Sequence, residues 1–63
     1  MIQCALCDKK WNKENLLYQD GFWLNSVCYF YVQNYQLDNE RTWTGDAIKR
    51  IKQLGGKYIG KDK

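Results

Sequence analysis

The chain is 63 residues long, carries a net charge of +3, and contains three cysteines but no histidine and no proline. A domain this small buries barely enough apolar surface to offset its ordering entropy, so a metal, a disulfide or a second subunit is expected to help hold it. The absence of histidine removes the commonest general base, the commonest metal ligand and every Ser-His or Cys-His nucleophile pair, so a binding module is expected rather than an enzyme.

The opening MIQCALC has no apolar core of a signal peptide, and three cysteines cannot all pair within one chain, which together predict a reducing, cytoplasmic setting. No apolar run reaches the length of a bilayer span, so no membrane partner is expected. Cys4-Ala5-Leu6-Cys7 can direct two sulfurs at one ion from a tight turn. A polar loop with Trp11 inside it is expected from Asp8 to Asn15. Leu16-Leu17-Tyr18-Gln19 and Phe22-Trp23-Leu24 flank Asp20-Gly21, a dipeptide that accepts positive φ and suits a two-residue type I′ turn. This predicts a hairpin with Tyr18 opposite Trp23 and Leu17 opposite Leu24.

Residues 25–37 satisfy two patterns. Val27 to Val32 has the aromatic and β-branched composition of a strand. Leu24, Cys28, Tyr31 and Tyr35 nevertheless recur at helical spacing, with Asn25 or Ser26 placed to cap a helix. A helix is expected, its buried face marked by Cys28 and Tyr31, and a third strand is the alternative. Farther along, Trp43, Ala47, Ile48, Ile51, Leu54 and Tyr58 give an amphipathic helix over about 43–54, with Thr44 as N-cap and Gly55 past its end. Tyr58-Ile59 is expected to fold back after Gly55-Gly56, leaving residues 60–63 frayed. The predicted fold is thus a single small α+β domain over 1–63: a zinc-knuckle-like N-terminus, a β-hairpin and two α-helices, with a finger-like half at 1–35 and a helix with its tail at 43–59.

Cys28 follows Cys7 after 20 residues, at the upper end of the interval between the halves of a C-x2-C, C-x2-C zinc site. A fourth cysteine in that pattern would fall at Tyr31, and a tyrosine phenol keeps its proton at neutral pH and ligates zinc poorly. Cys4, Cys7 and Cys28 therefore form a candidate zinc site to be completed by Asp8, Asp20, Asn25, water or another chain. The alternatives are inert core cysteines, with Tyr31 filling the space, or disulfide chemistry.

A two-cysteine knuckle, a hairpin at Asp20-Gly21 and a helix bearing Cys28 in its first turn together resemble a treble-clef zinc finger. Among small proteins they resemble the Gin-type anti-sigma factors of sporulating bacteria, with CALC matching the knuckle and Cys28 the first cysteine of the second pair. The resemblance covers 1–35 and departs from the family at Tyr31. It implies a structural zinc ion and capture of a larger bacterial or phage-host protein.

The chain also holds three tryptophans, five tyrosines and two phenylalanines, more than one core layer needs. Trp23, Tyr29 and Phe30 are the candidates for a protein-binding surface or a homodimer seam. The basic charge is C-terminal: Lys49, Arg50, Lys52, Lys57, Lys61 and Lys63 stand against Asp62 alone after Ala47. This supplies the second functional expectation, nucleic-acid binding in which Lys49, Arg50, Lys52 and Lys57 neutralise phosphates.

Overall fold

The computed structural model describes residues 1–60. Its elements in chain order are β1 (Ile2–Gln3), β2 (Lys10–Trp11), a 3₁₀ turn (Lys13–Asn15), β3 (Leu16–Gln19), β4 (Phe22–Asn25), α1 (Ser26–Asp38) and α2 (Thr44–Gln53). The chain is a small α+β protein with two antiparallel β-hairpins and two helices.

The second hairpin has the expected register, with Leu17 facing Leu24 and Tyr18 facing Trp23. Asp20 and Gly21 take φ of 50° and 89°, the left-handed pair that a type I′ turn requires. The first hairpin corrects the expectation of an unbroken polar loop from Asp8 to Asn15. Lys10–Trp11 pairs with Ile2–Gln3, and the knuckle is the connection between them.

Residues 26–38 are helical, not a third strand. The Asn25 side chain accepts the Cys28 backbone N–H at 2.8 Å, satisfying one of the donors a helix start leaves unpaired. The buried face of α1 is Cys28, Val32 and Tyr35. Tyr31, expected on that face, is only half buried and lies at its edge, its ring 6.2 Å from Phe30. Arg41 N–H donates back to Gln36 O at 2.7 Å, which closes α1 with Glu40 in the left-handed conformation at φ 55°.

Thr44 does not cap α2 as expected. Trp43 occupies the N-cap position and makes no side-chain cap bond. Thr44 is the first helical residue and is fully buried, its hydroxyl donating to Asp20 Oδ2 at 2.6 Å and accepting from Gln19 and Gln36 amides at 2.9 and 3.1 Å. That cluster joins the hairpin turn to both helices. At the other end, Gly55 N–H donates to Lys52 O and Gly56 N–H to Ile51 O, and both glycines have positive φ. This is a Schellman motif, and it turns the chain away so that Leu54, expected in the core, is 62% exposed. Trp43 is likewise 59% exposed, lying over Gly45 and edge-on to Phe22 at 5.9 Å. Beyond the turn, Tyr58 folds back as expected, with its ring against Tyr35 and its hydroxyl donating to Asp38 at 2.9 Å, whereas Ile59 is exposed. Of the expected frayed segment, residues 61–63 lie outside the described residues.

The core is one cluster drawn from every major element: Cys4 and Leu6 of the knuckle, Leu16 and Leu24 of the hairpin, Cys28, Val32 and Tyr35 of α1, and Ala47, Ile48 and Ile51 of α2. No helix among the described residues is long and apolar enough to cross a membrane.

Candidate metal centre

The knuckle is built by backbone hydrogen bonds that fold it around its own first sulfur. Cys4 N–H donates to Lys9 O at 2.9 Å, Asp8 N–H to Cys4 O at 3.1 Å, and Leu6 N–H to Cys4 Sγ at 3.4 Å. Asp8 adopts φ 64°, which turns the chain from the knuckle into β2. Ala5 N–H donates to Trp23 O at 2.8 Å and fixes the knuckle to β4. The same strand ends at Asn25, whose cap starts α1, so Cys28 arrives on the first turn facing Cys4 and Cys7.

The three sulfurs lie within 4.8 Å of one another. Tetrahedral zinc with Zn–S bonds of about 2.3 Å spaces its sulfurs about 3.8 Å apart, so closure on an ion needs movements of at most about 1 Å. Cys4 and Cys28 are buried, and Cys7 is half exposed. Cys4, Cys7 and Cys28 can together hold a metal ion, and their soft thiol donors suit zinc, copper(I) or iron.

Donors surround the cluster. Asn25 Nδ2 is 3.4 Å from Cys7 Sγ and 3.9 Å from Cys4 Sγ, and its orientation is fixed because Oδ1 accepts from Cys28 N–H. The Trp11 indole N–H is buried without a hydrogen-bond partner among the described residues, yet it approaches Cys7 closely enough to favour a thiolate there. Burial opposes charge at Cys7, but the Lys9 backbone N–H, Trp11 and the other two cysteines outweigh it and hold the thiol below its ordinary value. Burial first, and then the charges of Cys4 and Cys7, pushes the Cys28 thiol up to about 12. The cluster is therefore arranged for negative charge on Cys7, and a bound cation would offset both the burial and the neighbouring sulfur charges that raise Cys28.

Each of the expected fourth ligands within the chain has a polar partner, although the Asp8 pair is exposed and occupies one carboxylate oxygen. Asp8 turns its carboxylate to Lys52 Nζ at 3.3 Å, Asp20 accepts from Thr44 at the hairpin turn, and the Asn25 carbonyl oxygen is committed to the α1 cap. Among the described residues no fourth histidine, cysteine, aspartate or glutamate joins the group.

The other candidate residues are spread over the surface. Trp23 is half buried, with its ring 4.9 Å from Tyr18 and Lys13 Nζ 5.8 Å above it. Tyr29, expected to be exposed, is half buried and packs against the core, because it lies about 100° around the helix from Phe30. Phe30 is 58% exposed and shares an outward stripe with Val27 and Leu37, which are 56% and 76% exposed. Sequence reasoning overlooked Val27 and Leu37, although their spacing from Phe30 is the helical signal of a second apolar face. Lys49 and Arg50 border a surface hollow with Asp46 and Gln53, whereas Lys52 and Lys57 line a different cleft beside Cys7. Asn25 and Trp11, which shape the sulfur environment, were not singled out for that role. The available signal was an asparagine three residues before a cysteine at a helix start.

No protein-family model, curated protein or solved structure matches the chain.

Proposed function

We propose that the chain is a small regulatory module, stabilised by a zinc ion on Cys4, Cys7 and Cys28, that binds and modulates a larger protein through the outer face of α1. The observation that carries the binding surface is the stripe of Val27, Phe30 and Leu37, on a helix that has no charged side chain from Ser26 to Leu37 in a chain that is 27% charged. A helix apolar on both its inner and outer faces is suited to burial on both.

Zinc is the metal best suited to the centre because it takes thiolates in a tetrahedral shell and stabilises small domains without redox chemistry. The order of knuckle, hairpin and helix, with Cys28 in the first helical turn, supports the resemblance to treble-clef fingers and to Gin-type anti-sigma factors. On that likeness the partner is a bacterial or phage-host protein in the cytoplasm. The sequence contains no histidine, which supports reading the module as a binding protein rather than an enzyme.

Photocrosslinking from position 30 in the source cells identifies the partner. Phe30→Ala and Leu37→Ala should then each weaken its binding by about 1 to 4 kcal/mol, as truncated hot spots do. Joint Lys49→Glu and Lys52→Glu reversal should chiefly slow association. Nucleic-acid binding at physiological salt that is lost on reversal of Lys49, Arg50, Lys52 or Lys57 and indifferent to Phe30 contradicts the proposal and favours the basic face. Sedimentation at micromolar concentration tests the remaining occupant of the stripe, a second copy of the chain.

A further inference from the structure

We infer that the sulfur cluster is a two-electron thiol switch: peroxide entering the cleft beside Cys7 oxidises that sulfur first, an internal disulfide forms, and the metal leaves. The inference rests on the proposed metal site and adds its regulation.

Three observations carry it. Access is one-sided, because Cys4 is fully buried and Cys28 is 4% exposed, whereas Cys7 is half exposed and lines an open cleft of about 510 Å³ with Leu6, Asp8 and Lys52. A small oxidant therefore meets one sulfur of the three. Both buried sulfurs lie within 4.8 Å of it, and a disulfide of about 2.0 Å needs movements of at most about 3 Å, within reach of side-chain rotation. A sulfur from outside the chain lacks that proximity. The third observation is the donor count. Cys4, Cys7 and Cys28 are the whole cluster among the described residues, so one disulfide leaves a single thiolate, too few to hold the ion.

The chemistry balances with hydrogen peroxide as the oxidant. The Cys7 sulfur attacks one peroxide oxygen, the O–O bond breaks, and hydroxide departs to leave a sulfenic acid. The Cys4 or Cys28 thiolate then attacks the Cys7 sulfur, the S–S bond forms, the S–O bond breaks, and a second hydroxide departs. Both hydroxides take protons from buffer and become water. Two cysteines lose one electron each, peroxide gains both, and the sulfur–zinc bonds break to release Zn²⁺ with its oxidation state unchanged.

The test treats the zinc-loaded full chain with less than one equivalent of hydrogen peroxide while a chromophoric zinc indicator reports release. Remaining thiols are then alkylated in denaturant, and disulfides are located by peptide mass mapping. The expected result is one zinc released per disulfide, free thiols falling from three to one in each oxidised chain, and Cys7 in every disulfide. Dithiothreitol with added zinc should restore the three thiols and the bound metal. A Cys4–Cys28 bridge that leaves Cys7 free overturns the inference. Bridges between chains, sulfinic acid at Cys7 without a disulfide, or zinc retained by the oxidised chain also overturn it, and in each case the metal site stands. Protein that takes up no zinc removes the metal site itself, and the inference with it.

Discussion

Asn25 donates its side-chain N–H to the Cys7 sulfur at 3.4 Å while the oxygen of the same amide caps α1 at Cys28 N–H. One side chain thus sets the start of the helix and the polarity around the sulfurs. The two roles separate by substitution. Asn25→Ala should cost about 1 to 2 kcal/mol of stability in urea titrations. Asn25→Ser, which retains a capping oxygen, should recover much of that loss while matching Asn25→Ala in weakened metal affinity. Equal stability of the two variants would show that the cap contributes nothing.

Glu40 sits at φ 55° in the closing turn of α1, where a side chain is strained and glycine is not. Glu40→Gly should raise the thermal midpoint, with a gain of about 1 kcal/mol. Gly45→Ala should displace the exposed Trp43 ring with little net change in stability, because a Cβ there would fall 2.3 Å from the ring while alanine favours the helix by about 1 kcal/mol. The ring must leave Phe22, and its fluorescence should shift toward that of solvated tryptophan.

Alkaline pH should separate the chelated protein from the metal-loaded one. Burial and the neighbouring cysteines raise the Cys28 thiol to about 12 from 9.0, so the fold keeps a proton that the unfolded chain releases first. The stability this contributes is complete below about pH 9 and is lost as pH climbs toward 12. Tyr58, raised by burial and its bond to Asp38, acts in the same direction in both forms. Cys7, held below its ordinary value, acts in the opposite direction only up to about pH 9, so urea midpoints should fall more between about pH 9 and pH 11 in chelator than with zinc, since a metal-bound thiolate has no proton to lose.

Local chemistry made parts of this fold legible in the sequence. Asp20-Gly21 permits the left-handed pair of a type I′ turn, and that turn fixes the register that sets Tyr18 beside Trp23. The helical spacing of Cys28 and Tyr35 outweighed strand composition because Asn25 supplied a cap. What was not legible depends on distant partners. Thr44 reads as a cap in sequence, but Asp20, Gln19 and Gln36 recruit its hydroxyl across the fold. The pairing of β1 with β2 involves only two residues per strand, too few to carry a periodic signal. Cys4, Cys7 and Cys28 were legible as a group from spacing, whereas the bonds that occupy Asp8, Asp20 and Asn25 needed the fold.

Metal content measured together with folding in chelator tests the central claim most directly. Protein purified without added metal should carry about one zinc per chain, and a strong chelator should remove it and abolish or sharply lower the cooperative thermal transition, with zinc alone restoring it. Protein that carries no zinc, gives the same circular dichroism and melting temperature with and without chelator, and binds no added zinc would contradict the account and leave Cys4, Cys7 and Cys28 as ordinary core residues.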